Sequence, residues 1–311
     1  MKSPIRLRAL GCLACCLLLS GCSIKRMAIN MVGDALAGGG TTFSSDDDPE
    51  LIEAAVPFSL KLMETLLAES PKHEALLLAL ASGFTQFSYA FVQQEADMSE
   101  GENLGGAWEK QARARRLYLR ARNYGLRGLE LRYPGCGQGL RTNANATVAR
   151  FKPPDVGLLY WTAAPWAAAV SLSKDNADLI AELPMAEALM DRALQLDEDF
   201  GDGAIHSFLI TYEMSRVGAE GDPADRARRH FERATELTRG EHAGPYVSLA
   251  ESVCVQKQDL SGFKDLLGKA LAVDPDKHPE WRLANLVAQK RAKWLLSRTE
   301  ELFLAAGPDE K

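Results

Sequence analysis

The cysteine at position 22 has the most specific chemical setting in this 311-residue sequence. Leu19, Ser20 and Gly21 stand directly before it, Lys2, Arg6 and Arg8 form a basic start, and Leu10 to Leu19 form an apolar run. That run is too short to span a bilayer, which takes ~20 apolar residues. The order describes a removable leader over 1–21, and the small residues before Cys22 distinguish it from an ordinary secretory signal with a chance cysteine. Its removal leaves Cys22 first, where acyl chains such as palmitate are attached. Each buried methylene then contributes about 0.8 kcal/mol, so several chains hold a protein on a membrane stably. Ser23 is not acidic, which in the sorting of bacterial lipoproteins favours the outer membrane. The expected location is therefore the periplasm, lipid-anchored, on the outer membrane.

Other reactive side chains form no comparable constellation. Of six cysteines, Cys12, Cys15 and Cys16 leave with the leader and Cys22 is acylated. Cys136 and Cys254 remain, either as buried free thiols or as one bridge whose geometry a sequence cannot supply. Neither has the neighbouring histidines of a zinc site. The five histidines, His73, His206, His230, His242 and His278, include no pair at metal-binding helical spacing. His206 and Ser207 are adjacent, and adjacent helical residues do not face one another, so they make no base and nucleophile. Glu64, Glu69, Glu187 and Glu232 read as solvated helix charges. The expectation is a protein that is not an enzyme and needs no cofactor or metal.

A net charge of −6, more acidic once the leader's three basic residues are gone, argues against nucleic acid as a partner. The run Lys110, Arg113, Arg115, Arg116, Arg120, Arg122 and Arg127 lies on a helical pattern with apolar Ala112, Leu117, Leu119 and Leu126. It reads as a solvated face, with an acidic docking surface as the alternative. Ala, Leu, Glu, Arg and Gln fill the long segments and β-branched residues are scarce, so the chain should be all-α.

The elements follow from periodicity. After Cys22 a tether over 22–48 includes a short helix at Ile24 to Ala37, ended by Gly38-Gly39-Gly40. No Gly-Lys-Ser/Thr follows those glycines and no strand precedes them, so they are not a phosphate loop. Asp48 should cap the next helix with Pro49 at its first position and Glu50 on its dipole; a calcium cluster at Asp46 to Asp48 is the weaker reading. The helical domain then covers 49–311. Leu51, Ala55, Phe58, Leu62 and Leu66 form one apolar series, Leu76, Leu80, Phe84, Phe87 and Phe91 the next, and Pro71 separates them. Breaks recur near Pro134, Asp199, Gly240, Asp274 and Gly307. Ala193, Ala234 and Ala270 stand in similar helix ends, spaced close to the ~34 residues of a tetratricopeptide unit. The expected architecture is a degenerate tetratricopeptide-like superhelix of helical hairpins, whose stacking buries faces that no single hairpin can bury.

Tyr133 to Gly157, rich in Gly and Pro, breaks the regularity. A segment of this length with weak helical pattern is either a connector or functional. Arg141, Asn143, Asn145 and Arg150 within it are the partner-docking candidates. It leads into Tyr160, Trp161 and Trp166 on a helix that Pro165 should kink. With Phe87 and Tyr89, these aromatics are candidates for the wall of a ligand channel, core packing being the plainer role.

Several runs are similar to one known family: Gly38 to Leu51, Ser82-Gly83-Phe84-Thr85-Gln86, Leu159-Tyr160-Trp161-Thr162-Ala163-Ala164, Gly203-Ala204-Ile205-His206, His230 to Ala234, Gly244 to Glu251 and Leu283-Ala284-Asn285-Leu286. They resemble the TatT lipoproteins, associated with tripartite ATP-independent periplasmic (TRAP) transporters, over almost the whole mature chain. The resemblance implies a homotrimeric accessory subunit with pores or cavities, docked to the periplasmic substrate-binding protein of the transporter, with a hydrophobic small molecule as ligand. The family has no catalytic residues to carry over, and Cys22 alone transfers with a defined chemical role. The alternative function is an assembly factor that holds extended peptides of outer-membrane or pilus proteins.

Overall fold

The computed structural model describes residues 27–38 and 41–304; the leader, Cys22 and the break near Gly307 lie outside the described residues. Every regular element within them is helical. In chain order these are α1 (Met27–Ala37), α2 (Pro49–Glu69), α3 (Glu74–Ser99) and α4 (Leu104–Arg132). Next come α5 (Cys136–Thr142), α6 (Ala144–Val148), α7 (Val156–Ser171), α8 (Ala177–Ile180) and α9 (Leu183–Leu196). The chain continues with α10 (Phe200–Tyr212), α11 (Pro223–Leu237), α12 over 243–257, α13 (Leu260–Ala272), α14 (Arg282–Ser297) and α15 (Thr299–Leu302).

Local sequence sets the boundaries. Asp48 accepts from the backbone N–H of Glu50 and Leu51 ahead of Pro49, so α2 begins as its residues dictate. Asn103, Asp222 and Asp259 cap α4, α11 and α13 in the same way, each leaving fewer orphan donors at a helix start. The 133–157 stretch is more ordered than its composition suggests. It folds into α5, α6 and a 3₁₀ turn at Pro153–Asp155, because Gly135 takes a left-handed φ and Glu130 accepts from the N–H of Gly135 and Gly137. Helix α7 runs through Pro165 to Ser171 as one element.

The longer helices pack in sequence: α2 on α3, α3 on α4, α4 on α7 past the short α5 and α6, α7 on α9, then α10 on α11 and α12 on both α13 and α14. Two apolar cores result. One runs from Leu60 to Leu209 and contains Trp166, Tyr118 and Phe151; the other runs from Ile210 to Phe303 around Phe263 and Leu267. Helix α3 is long and apolar enough to cross a membrane, with a mean hydropathy of 1.5, yet it packs against α2, α4 and α7 inside the first core. Ala193, Ala234 and Ala270 are fully buried, as residues that let helix backbones approach closely should be. Cys136 and Cys254 are free thiols, one in each core. Burial pushes them up to about 12 and about 11 respectively, with Glu130 and Asp259 adding to the rise.

Helices α4 and α7 approach closely at Gly125. A Cβ at Gly125 would fall 2.1 Å from Thr162 Oγ1 and 3.1 Å from its Cα, so nothing larger than hydrogen fits without moving backbone. We expect Gly125→Ala to cost about 1–3 kcal/mol, the usual range for overpacking, read as a lower urea midpoint at unchanged m-value.

Candidate functional site

The sequence-derived candidates fall into two places. Phe87 and Trp166 are buried, Phe87 against Phe91 and Trp166 beneath the Arg122 guanidinium, 5.1 Å from its ring centroid. The Trp166 indole N–H donates to Glu182 (3.0 Å). Tyr160 is buried between Trp161 and Phe200, and Trp161 is half-buried. Tyr89 differs, with 48% of its surface accessible, while burial still raises its phenol above the ordinary range. Tyr89 is thus an accessible member of the aromatic set, on the π-helical turn Ser88–Gln93.

Arg141, Asn143, Asn145 and Arg150 are all exposed, on α5, α6 and the turn after them. Arg141 is 3.9 Å from Glu182, Asn143 caps α6 through Ala146 N–H, and Arg150 lies over the Tyr133 ring. Glu182 links Arg141 to Trp166 of the aromatic set, while Asn143 and Arg150 are engaged elsewhere.

Around Tyr89 stands a charged group that sequence reasoning missed. Arg291 of α14 donates from Nη1 to Asp97 of α3 (3.0 Å) and from Nε and Nη2 to Glu251 of α12 (2.7 and 2.5 Å). Its side chain is 10% exposed. Burial opposes its charge, but the hydrogen bond to Glu251 and the fields of Glu251, Tyr89 and Asp97 outweigh that, and its pKa rises. Asp97 is raised by burial, which Arg291 only partly offsets. The Tyr118 hydroxyl donates to Gln93 (2.7 Å); its phenol is pushed well up by burial and by Tyr89.

Both Tyr89 and Glu251 sit in π-helical turns, Ser88–Gln93 and Ala250–Cys254. Such turns insert one residue into a helix and are frequent at functional sites. Glu251 lies within a run that carries the family resemblance, which was the available signal; nothing in the spacing of positions 89, 97, 251 and 291 could have joined them.

Two readings of charge gain detail. Arg113, Arg116, Arg120 and Arg127 of the basic run on α4 are exposed, yet the run is also paired: Arg120 with Glu64 (2.5 Å), Arg122 with Glu182 (2.7 Å) and Lys110 with Glu95 (2.5 Å), while Arg113 and Arg127 lie against the rings of Phe87 and Tyr124. Glu64 and Glu187 are not merely solvated, since they accept from the hydroxyls of Tyr124 and Tyr212 (2.5 Å each). Helix packing thus consumes charges that a single-helix view leaves in water.

Histidines far apart in sequence also meet. His206 Nδ1 and His230 Nδ1 are 2.8 Å apart at the packing of α10 on α11, and one ring must donate to the other. Burial lowers both, His230 to about 4 with His206 as second cause. His242 is likewise lowered to about 4 by burial. Among the described residues no group of three or more His, Cys, Asp or Glu could hold a metal ion. The cluster around Arg291 has every ion paired and no nucleophile beside a base, so it binds helices to one another.

The fold and this cluster define an all-α protein whose helices are joined by a buried polar cluster. The chain belongs to the TAtT family, the TRAP transporter T-component, whose model matches residues 45–303. It is also similar, at 29% identity over 322 residues covering 98% of this chain and 100% of the relative, to an uncharacterized protein of Treponema pallidum (strain Nichols).

Depressed histidine pKa values have a defined consequence. The unfolded chain takes up protons near the ordinary 6.5, whereas the folded chain resists until about 4, so the unfolded state binds more protons between these values and stability falls as pH falls. Urea midpoints should be level above pH 7 and decline from pH 6.5 downward, before the carboxylates titrate. His230→Asn should make that decline shallower.

Proposed function

We propose that this protein is the periplasmic, lipid-anchored accessory subunit of a TRAP-type uptake system, docking the transporter's substrate-binding protein and admitting a hydrophobic ligand beside the accessible Tyr89 ring. The observation that carries the reading is the family match across 45–303; the leader and Cys22 motif add the anchor. Exposed Arg141, Asn143, Asn145 and Arg150 on α5, α6 and the following turn suit an acidic patch on the partner. An accessible aromatic ring suits an apolar molecule, with Tyr160 and Trp161 as further candidates for the channel wall.

Self-association into a homotrimer fits a second feature. Leu51, Phe58 and Leu62, 56%, 73% and 37% exposed, lie along one line of α2 at coiled-coil spacing.

Light scattering after gel filtration tests both contacts, using the processed chain alone and mixed with the substrate-binding protein encoded nearest to it. We expect a trimer whose mass rises with the partner, Phe58→Glu giving monomers, and Arg141→Glu with Arg150→Glu weakening the partner complex at least tenfold while the trimer persists. A monomer indifferent to the partner would favour the assembly-factor function.

A further inference from the structure

Helix α1 has apolar residues on two sides. Ile29, Gly33, Leu36 and Ala37 turn inward, and the contact is tight: a Cβ on Gly33 would lie 2.8 Å from His73 Nε2 and 3.0 Å from Leu76. His73 also reaches the Asn30 carbonyl (3.2 Å) and the Asp34 carboxylate (3.4 Å), so the helix is pinned to the turn between α2 and α3. Met27, Ala28, Met31, Val32 and Ala35 face away and are exposed, Met27 at 60% and Met31 at 66%. At 100° per residue they cover an arc of about 140° without a charge. Asp34, the one charged side chain in the helix, stands at the edge of the arc beside His73.

Chain length says what covers this face. Cys22 and Met27 are five Cα steps apart in the sequence, a reach of at most about 18 Å. With acyl chains on Cys22, α1 cannot stand farther than that from the lipid. At about 16 Å long it is too short to cross a hydrocarbon core of ~30 Å, so its apolar arc can meet lipid only lying flat. Lys25 and Arg26 precede it in the sequence, suited to anionic headgroups.

We propose that the outward face of α1 lies in the headgroup layer of the membrane and orients the helical body relative to it. The lipid on Cys22 alone would leave the body free to tumble; a second, rigidly attached contact removes that freedom. The inference rests on the reading of Cys22 as acylated.

The test uses the acylated protein in vesicles of phosphatidylethanolamine and phosphatidylglycerol, with a nitroxide on Met31→Cys or Val32→Cys and a control on Glu53→Cys, exposed on α2. Cys136 and Cys254 are buried and stay unlabelled. Collision with dissolved oxygen relative to a water-soluble nickel chelate should be several-fold higher for Met31 and Val32 than for Glu53, with mass spectrometry confirming acyl chains on Cys22. Equal, water-like values on an acylated chain overturn the helix contact and leave the anchor intact. Dipolar broadening between Met31 labels shows a second copy on this face and overturns it as well. A Cys22 without acyl chains overturns the anchor and the inference together.

Discussion

Arg291 is a side chain through which the two cores hold each other. It leaves α14 in the second core, takes Glu251 from that core as a bidentate partner, and reaches Asp97 at the end of α3 in the first. A buried guanidinium is tolerated only when its donors are met, so the three groups specify one register of α14 against α3. Nearby, Ser44 and Ser45 accept from Leu283 N–H and Arg282 at the start of the same helix. The strap before α2 is therefore fastened to the far end of the chain, and α14 closes what would otherwise be an open row of helices.

That closure explains why the two π turns occur where they do. An added residue in α3 turns Tyr89 towards the cluster, and another in α12 does the same for Glu251. Regular α-geometry would carry each side chain about 100° round its helix. Tyr89 thus stands beside the clasp at Arg291, close enough for the field of each to act on the other.

Much of the fold was legible. Apolar spacing gave the helices, Asp48 and Pro49 gave the start of α2, and the similar alanines marked buried helix contacts, because each signal is local. The 133–157 stretch was misread because its order comes from a glutamate side chain, Glu130, binding the backbone of Gly135 and Gly137, which no periodicity records. The site was less legible still. Aromatic density singles out Tyr89 as a channel-wall candidate but not its charged neighbours, which lie up to two hundred positions away and meet only through helix packing. The same holds for His206 and His230: each is an isolated histidine in sequence and half of a pair in space.

The two thiols have a consequence of a different kind. Cys136 and Cys254 lie in different cores with no partner sulfur, and burial keeps each protonated, so neither reacts while its own half is closed. In an oxidising compartment the protein then carries a built-in record of its own breathing. Modification at Cys136 dates an opening of the first half and modification at Cys254 an opening of the second, so their relative rates would tell whether the halves come apart separately or as one.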